Sequence, residues 1–214
     1  MRNNRIIRVV LIILCSLILL TAVGIGGYYS IERIKIAIAI NSSSSTTPIA
    51  IRASQAYEYA ENNKLNTNYA LLVDYSIPSG TPRLFVWDFG KNRVIAMAHV
   101  MHGSGGGSTD EVPVFSNKIG SKCSSLGHFK VTNEHGWTIK WSYRLQGFDA
   151  TNSNAYTRGI MIHEARWVDE HLGQKHIPIN EYWCQGCITV SYKEMLYLDN
   201  LIKKEPNMLL WSYQ

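Results

Sequence analysis

This 214-residue chain has four cysteines, too few and too scattered for a disulfide-built scaffold. One Cys-x-x-Cys pair is present, Cys184 and Cys187, with no second pair to complete a structural zinc site. No Gly-x-x-x-x-Gly-Lys-Ser/Thr run exists, so His102-Gly103-Ser104-Gly105-Gly106-Gly107 lacks the lysine and helix start of a phosphate loop. There is no internal repeat. Acidic charge is scarce, with 16 Asp and Glu against 21 Lys and Arg, giving a net charge of +5 and a pI of about 9.0. Such a balance suggests a nucleic-acid partner until the charges are located. Residues 1–35 hold Arg2, Arg5, Arg8, Arg33 and Lys35 against Glu32, which accounts for +4 and leaves +1 downstream. No basic block interleaved with aromatics survives that subtraction, and nucleic acid is excluded as a partner.

What is present begins with a long apolar run. Val9 to Ile31 is 23 residues without a charged side chain, where a membrane-crossing helix needs roughly 20. A cleaved signal peptide is the alternative, with small residues at Thr21-Ala22-Val23-Gly24. The run exceeds the usual apolar core of about 7–15 residues, which favours an uncleaved anchor. The arginines before it keep that end in the cytoplasm and send the remainder outward. Residues 1–35 are therefore a cytoplasmic tip and membrane anchor, and 36–50 a Ser/Thr-rich tether centred on Asn41-Ser42-Ser43-Ser44-Ser45-Thr46-Thr47-Pro48. Residues 51–214 are one domain of ordinary size.

The domain reads as mainly β with flanking helices. Ala53 to Leu65 is a leading helix, with Ala56, Tyr57 and Ala60 on one side. Tyr69 to Tyr75, Arg83 to Phe89 and Arg93 to Val100 are strands, the last two a hairpin about Gly90-Lys91-Asn92. Gly127 to Thr132, Trp137 to Tyr143 and Gly159 to His163 are further strands. Ser191 and Glu194 form a capping box before Met195, Leu198, Leu201 and Ile202, with Pro206 ending the helix. Met208 to Tyr213 is a closing strand.

Two segments carry chemistry. Trp183-Cys184-Gln185-Gly186-Cys187 places a thiol on a Gly-preceded turn, and Ile160-Met161-Ile162-His163 ends an apolar strand in an imidazole. Thiol and base are 24 residues apart, a separation that folding can close. The pair predicts a Cys-His enzyme with Cys187 as nucleophile and His163 as base. The remaining histidines, His99, His128, His135, His171 and His176, read as surface or packed residues. Cys184 has three readings: a small buried polar group, a redox dithiol with Cys187, or a disulfide partner of Cys123.

The segments Ser116-Asn117-Lys118-Ile119-Gly120-Ser121, Ser124-Ser125-Leu126-Gly127, Tyr143-Arg144-Leu145-Gln146-Gly147-Phe148, Arg158, Ile162-His163 and Gly186-Cys187 occur in an order that resembles the murein L,D-transpeptidase catalytic domain family, the YkuD-like cysteine transpeptidases. The resemblance spans Tyr69 to Tyr213. It implies an α+β, sandwich-or-barrel domain in which Cys187 attacks a peptidoglycan stem peptide. It also implies His163 as base, the Glu164 backbone carbonyl orienting the imidazole, and the Gly186 backbone helping to hold the oxyanion. Substrate contacts would come from Arg158, Arg144, Tyr143, His102, Cys184 and Gln185, with no metal and no cofactor. The site would then lie outside the inner membrane of a bacterium. The chain departs from the family pattern at Cys184, where Ser or Thr is usual, at Glu164, usually smaller, and at Thr189, often Arg. Hydrolysis of the same thioester, an L,D-carboxypeptidase or endopeptidase activity, uses the same residues. A tethered thiol-redox or wall-binding protein is the further alternative.

Overall fold

The computed structural model describes residues 48–136, 139–182 and 184–214. The expected anchor, most of the tether, Trp137 and Trp183 lie outside the described residues. Among the described residues no helix is long and apolar enough to cross a bilayer.

Helix α1 (Pro48–Asn62) includes the residues ahead of the expected start at Ala53 and ends three residues before the expected Leu65. The buried side chains are Ala50, Ala53, Ala56 and Ala60, a stripe of small residues that lets the helix lie close on the sheet. Tyr57, expected on that stripe, is turned outward and meets Phe89 edge to face at 5.2 Å.

Eight strands follow: β1 (Tyr69–Asp74), β2 (Leu84–Asp88), β3 (Arg93–Ala98), β4 (Gly127–Val131), β5 (Ser142–Gly147), β6 (Met161–Glu164), β7 (Ile188–Val190) and β8 (Leu209–Tyr213). They form one sheet in the order β3-β2-β1-β8-β4-β5-β6-β7. Two pairs are parallel, β1 with β8 and β6 with β7, and the rest are antiparallel. Past the end of β3, the Met101 N–H donates to the Thr189 carbonyl at 2.9 Å, so the two edges of the sheet nearly meet. The expected sandwich or barrel is thus a single, almost closed barrel-like sheet. Its core gathers Leu71, Val73, Val86, Phe129, Leu145, Ile162, Ile188, Val190 and Met195.

Further elements differ from the sequence reading. The strand expected at Trp137 to Tyr143 lies later, at Ser142–Gly147. At its start, His135 Nδ1 lies on the Ser142 carbonyl at 2.6 Å and the Gly136 N–H donates to Ser142 Oγ at 2.7 Å. Strand β7 has three residues, too short for any period to show. Helix α2 (Arg166–Glu170), a single short turn of helix, was likewise unsignalled.

Helix α3 (Tyr192–Lys204) carries the expected capping box. The Ser191 N–H donates to Glu194 Oε2 at 3.0 Å, and the Glu194 N–H donates to Ser191 Oγ at 3.4 Å. The other Glu194 oxygen takes the backbone N–H and Nδ1 of His99 at 2.9 and 2.7 Å. The box therefore starts the helix directly after β7 and ties it to the end of β3. Ser191→Ala should lower unfolding free energy by about 1 kcal/mol, read as a reduced midpoint with unchanged slope in urea denaturation.

Candidate active site

Strand register brings the thiol to the imidazole. In the parallel pair β6–β7, Ile162 lies beside Ile188 and His163 beside Thr189. Cys187, one residue before the strand, comes abreast of Met161. Side chains alternate along a strand, and Ile162, Ile188 and Val190 point into the main core. Cys187 and His163 therefore share the opposite face as diagonal neighbours. The imidazole is 4 % exposed and the thiol is part-buried.

The ring's protonation follows from its partners. His163 Nδ1 lies 2.8 Å from the Glu164 carbonyl, which only accepts, so Nδ1 carries the proton and Nε2 is left to face the thiol. His163 and Cys187 act on each other through side-chain hydrogen bonding and charge, each shifting the other's pKa. Burial alone would raise the Cys187 pKa, but the bond and charge of His163, a Met161 backbone hydrogen bond and the Arg158 charge outweigh it and hold it below the usual thiol range. For His163, burial pulls the pKa down and the Cys187 and Glu164 contacts overcome that, leaving it raised. The two shifts favour a thiolate-imidazolium pair. Cys187 Sγ also lies 3.9 Å from the Gly159 carbonyl, a neighbour with no signal in the sequence.

Gly186 is required by geometry. Its φ is +112°, and a Cβ there would meet the Cys123 carbonyl oxygen at 2.4 Å. The Gly186 backbone also acts on the Cys184 thiol, lowering its pKa against the effect of burial.

Cys184 is fully buried in a small cluster with Met101, Val168 and Ile177. Thr189 Oγ1 donates to its sulfur at 3.7 Å, and the Cys187 and Met101 carbonyls lie 3.5 and 3.8 Å away. Burial, then the nearby Cys187, push its pKa up to about 12. It is thus a packed polar group beneath the turn rather than a substrate contact. Cys123, Cys184 and Cys187 are all free thiols.

Other expected substrate contacts are placed elsewhere. Tyr143 is core, 2 % exposed, with its hydroxyl on Asp199 Oδ1 of α3 at 2.8 Å. His102 is fully buried between Arg83 Nη2 at 3.1 Å and the Thr109 carbonyl at 2.8 Å. Burial and the Arg83 charge lower its pKa to about 4, so it is a neutral structural ring. Arg144 stacks on Tyr156 at 4.1 Å and donates to the Tyr156 carbonyl at 2.6 Å. Gln185 is exposed two residues before Cys187, its amide on the Glu181 carbonyl at 3.2 Å. The half-buried Arg158 guanidinium is bonded to the 116–125 loop.

The sequence matches the L,D-transpeptidase catalytic domain over residues 41–213. The chain belongs to that family. No curated protein matches it. Solved structures similar to this L,D-transpeptidase family member include a mutant of the helical cell shape determining protein Pgp2 from Campylobacter jejuni, 11 % identical with a TM-score of 0.45. That alignment covers 70 % of this chain and 48 % of Pgp2. An L,D-transpeptidase from Mycobacterium smegmatis is 12 % identical at 0.39, covering 69 % and 59 %. One from Xylanimonas cellulosilytica DSM 15894 is 12 % identical at 0.36, covering 73 % and 68 %. The matched part thus spans about half the length of the first of these and about three-fifths of the second.

Two outcomes follow from the geometry. His163→Ala should move the pH midpoint of Cys187 alkylation by iodoacetamide upward, to about 8.5 or above, as followed by peptide mass spectrometry. Gly186→Ala should cost about 2–4 kcal/mol of stability, measured by thermal unfolding, because both its φ and its contact with the Cys123 carbonyl resist a side chain.

Proposed function

We propose that the domain is a peptidoglycan L,D-transpeptidase, and the observation that carries this reading is the Cys187–His163–Glu164 carbonyl arrangement within a family of that activity. The Cys187 thiolate attacks the carbonyl carbon of the L-centre that precedes the terminal D-amino acid of a donor stem. The C–N bond breaks, the His163 imidazolium gives its proton to the departing amine, and a thioester remains on Cys187. An acceptor amine then attacks the thioester and passes a proton to His163 Nε2. The C–S bond breaks and the thiolate returns.

The oxyanion formed in each step needs hydrogen-bond donors, and the backbone N–H groups of Gly186 and Cys187 are assigned that role; such a donor is commonly worth about 3 kcal/mol. Hydrolysis, with water in place of the amine, is the competing outcome on the same residues. The dithiol alternative is disfavoured, since a thiol held up to about 12 and packed against carbonyls is not an attacking group. Residues 1–35 are proposed to anchor the domain in the bacterial cytoplasmic membrane with the site facing outward, where its stem-peptide partners lie.

Incubation with a tetrapeptide-stem muropeptide, followed by mass spectrometry, tests the proposal. A cross-linked dimer lacking one terminal D-residue is the expected product, whereas free tripeptide alone would replace transpeptidation by hydrolysis. Cys187→Ala should abolish the covalent adduct with retained fold. Cys184→Ser should keep activity within about threefold, because the hydroxyl can make the same bonds to the turn; loss as complete as that of Cys187→Ala would restore the dithiol reading.

A further inference from the structure

The short turn over 154–160 meets the nucleophile from one side. The Arg158 N–H closes it on the Asn154 carbonyl at 2.8 Å, and the next residue, Gly159, places its carbonyl 3.9 Å from Cys187 Sγ. From the same turn the Arg158 side chain crosses to the 116–125 loop. Nη1 donates to the Ser116 carbonyl at 2.8 Å and Ser125 Oγ at 2.6 Å, and Nη2 to Ser121 Oγ at 3.2 Å and the Cys123 carbonyl at 2.5 Å. That carbonyl and Arg158 Nη2 are two of the atoms a Cβ on Gly186 would strike, at 2.4 and 3.0 Å. The guanidinium is therefore wedged between the loop and the turn that carries Cys187.

Every acceptor of these four bonds is neutral, and no ion pair to Arg158 is found among the described residues. Its charge is thus free to act on what lies beside it. A substrate carboxylate would have to displace bonds already made by both terminal nitrogens, with the loop's support lost in exchange.

We propose that Arg158 is a positioning residue that locks the 116–125 loop against the nucleophile turn and supplies unneutralised positive charge beside Cys187, rather than a receptor for the stem-peptide carboxylate. The role of Arg158 toward Cys187 does not depend on the acceptor, or on peptidoglycan being the substrate. Its charge favours the thiolate over the thiol, in line with the electrostatic influence of Arg158 on Cys187. Its hydrogen bonds keep the loop from drifting off the turn.

The test uses the full chain, with Arg158→Met and Arg158→Lys. Iodoacetamide alkylation of Cys187 is followed by peptide mass at pH 7, and hydrogen exchange is followed in residues 116–125. Arg158→Met should slow alkylation about three- to tenfold, a shift of up to one pK unit, and speed exchange in the loop. Arg158→Lys should return alkylation to within about twofold of wild type yet leave the loop's exchange fast, because a single ammonium cannot make four bonds in a fork. Calorimetry with a tetrapeptide stem, free or amidated at its carboxylates, supplies the third readout. Amidation should weaken binding by the same factor in wild type and in Arg158→Met. Unchanged alkylation in Arg158→Met, or an amidation penalty that vanishes in that variant, overturns the proposal. Should Arg158→Met not fold, Arg158→Lys decides alone: near-normal alkylation with fast loop exchange supports the assignment, and slowed alkylation with normal exchange overturns it. Alkylation and exchange need no turnover, so their failure is distinct from a failure of the transpeptidase reading.

Discussion

The parallel pairing of β6 with β7 is the constraint on which the site rests. It brings Cys187 across a 24-residue excursion and fixes which face it occupies. Because side chains alternate with period two, a slip of one residue would turn Cys187 into the apolar core and bring Ile188 to the imidazole. A three-residue strand has little intrinsic hold on its register. Its neighbours supply it: the Met101 bridge on the open edge, the apolar contacts of Ile188 and Val190, and the capping box that starts α3 one residue later. The helix start, the sheet closure and the Cys187–His163 geometry are thus one mechanical unit.

Two cysteines three residues apart show how environment rather than spacing assigns chemistry. Cys187 faces an imidazole, a backbone donor and a guanidinium, and its thiolate is favoured. Cys184 sits under the turn among apolar side chains and carbonyl oxygens, and its thiol form is favoured. A redox dithiol needs at least one accessible low-pKa thiol and a partner able to reach it; here the second sulfur is buried and occupied in accepting from the Thr189 hydroxyl.

Much of this was legible in the sequence where the signal was local. The capping box, the β2–β3 hairpin, the closing strand and the Gly186-Cys187 turn each announce themselves within a few residues, and each stands where expected. What could not be read depends on partners far along the chain. Nothing near Ser142 indicates that β5 starts there rather than at Trp137, because Ser142 is held by bonds from His135 and Gly136 that the local pattern does not signal. Tyr143, His102 and Arg158 are residue types suited to substrate recognition, yet their polar atoms are committed to Asp199, to Arg83 and Thr109, and to the 116–125 loop. Composition names a side chain's capacity; only the fold shows whether that capacity is already spent.

Strand β8 lies between β1 and β4. Without it, β3-β2-β1 and β4-β5-β6-β7 are two separate ladders that touch at the Met101–Thr189 bridge. The strand that contributes no residue to the Cys187–His163 pair is thus the seam of the sheet, and loss of β8 would leave the ladder that holds the pair uncoupled from the one against which α1 packs.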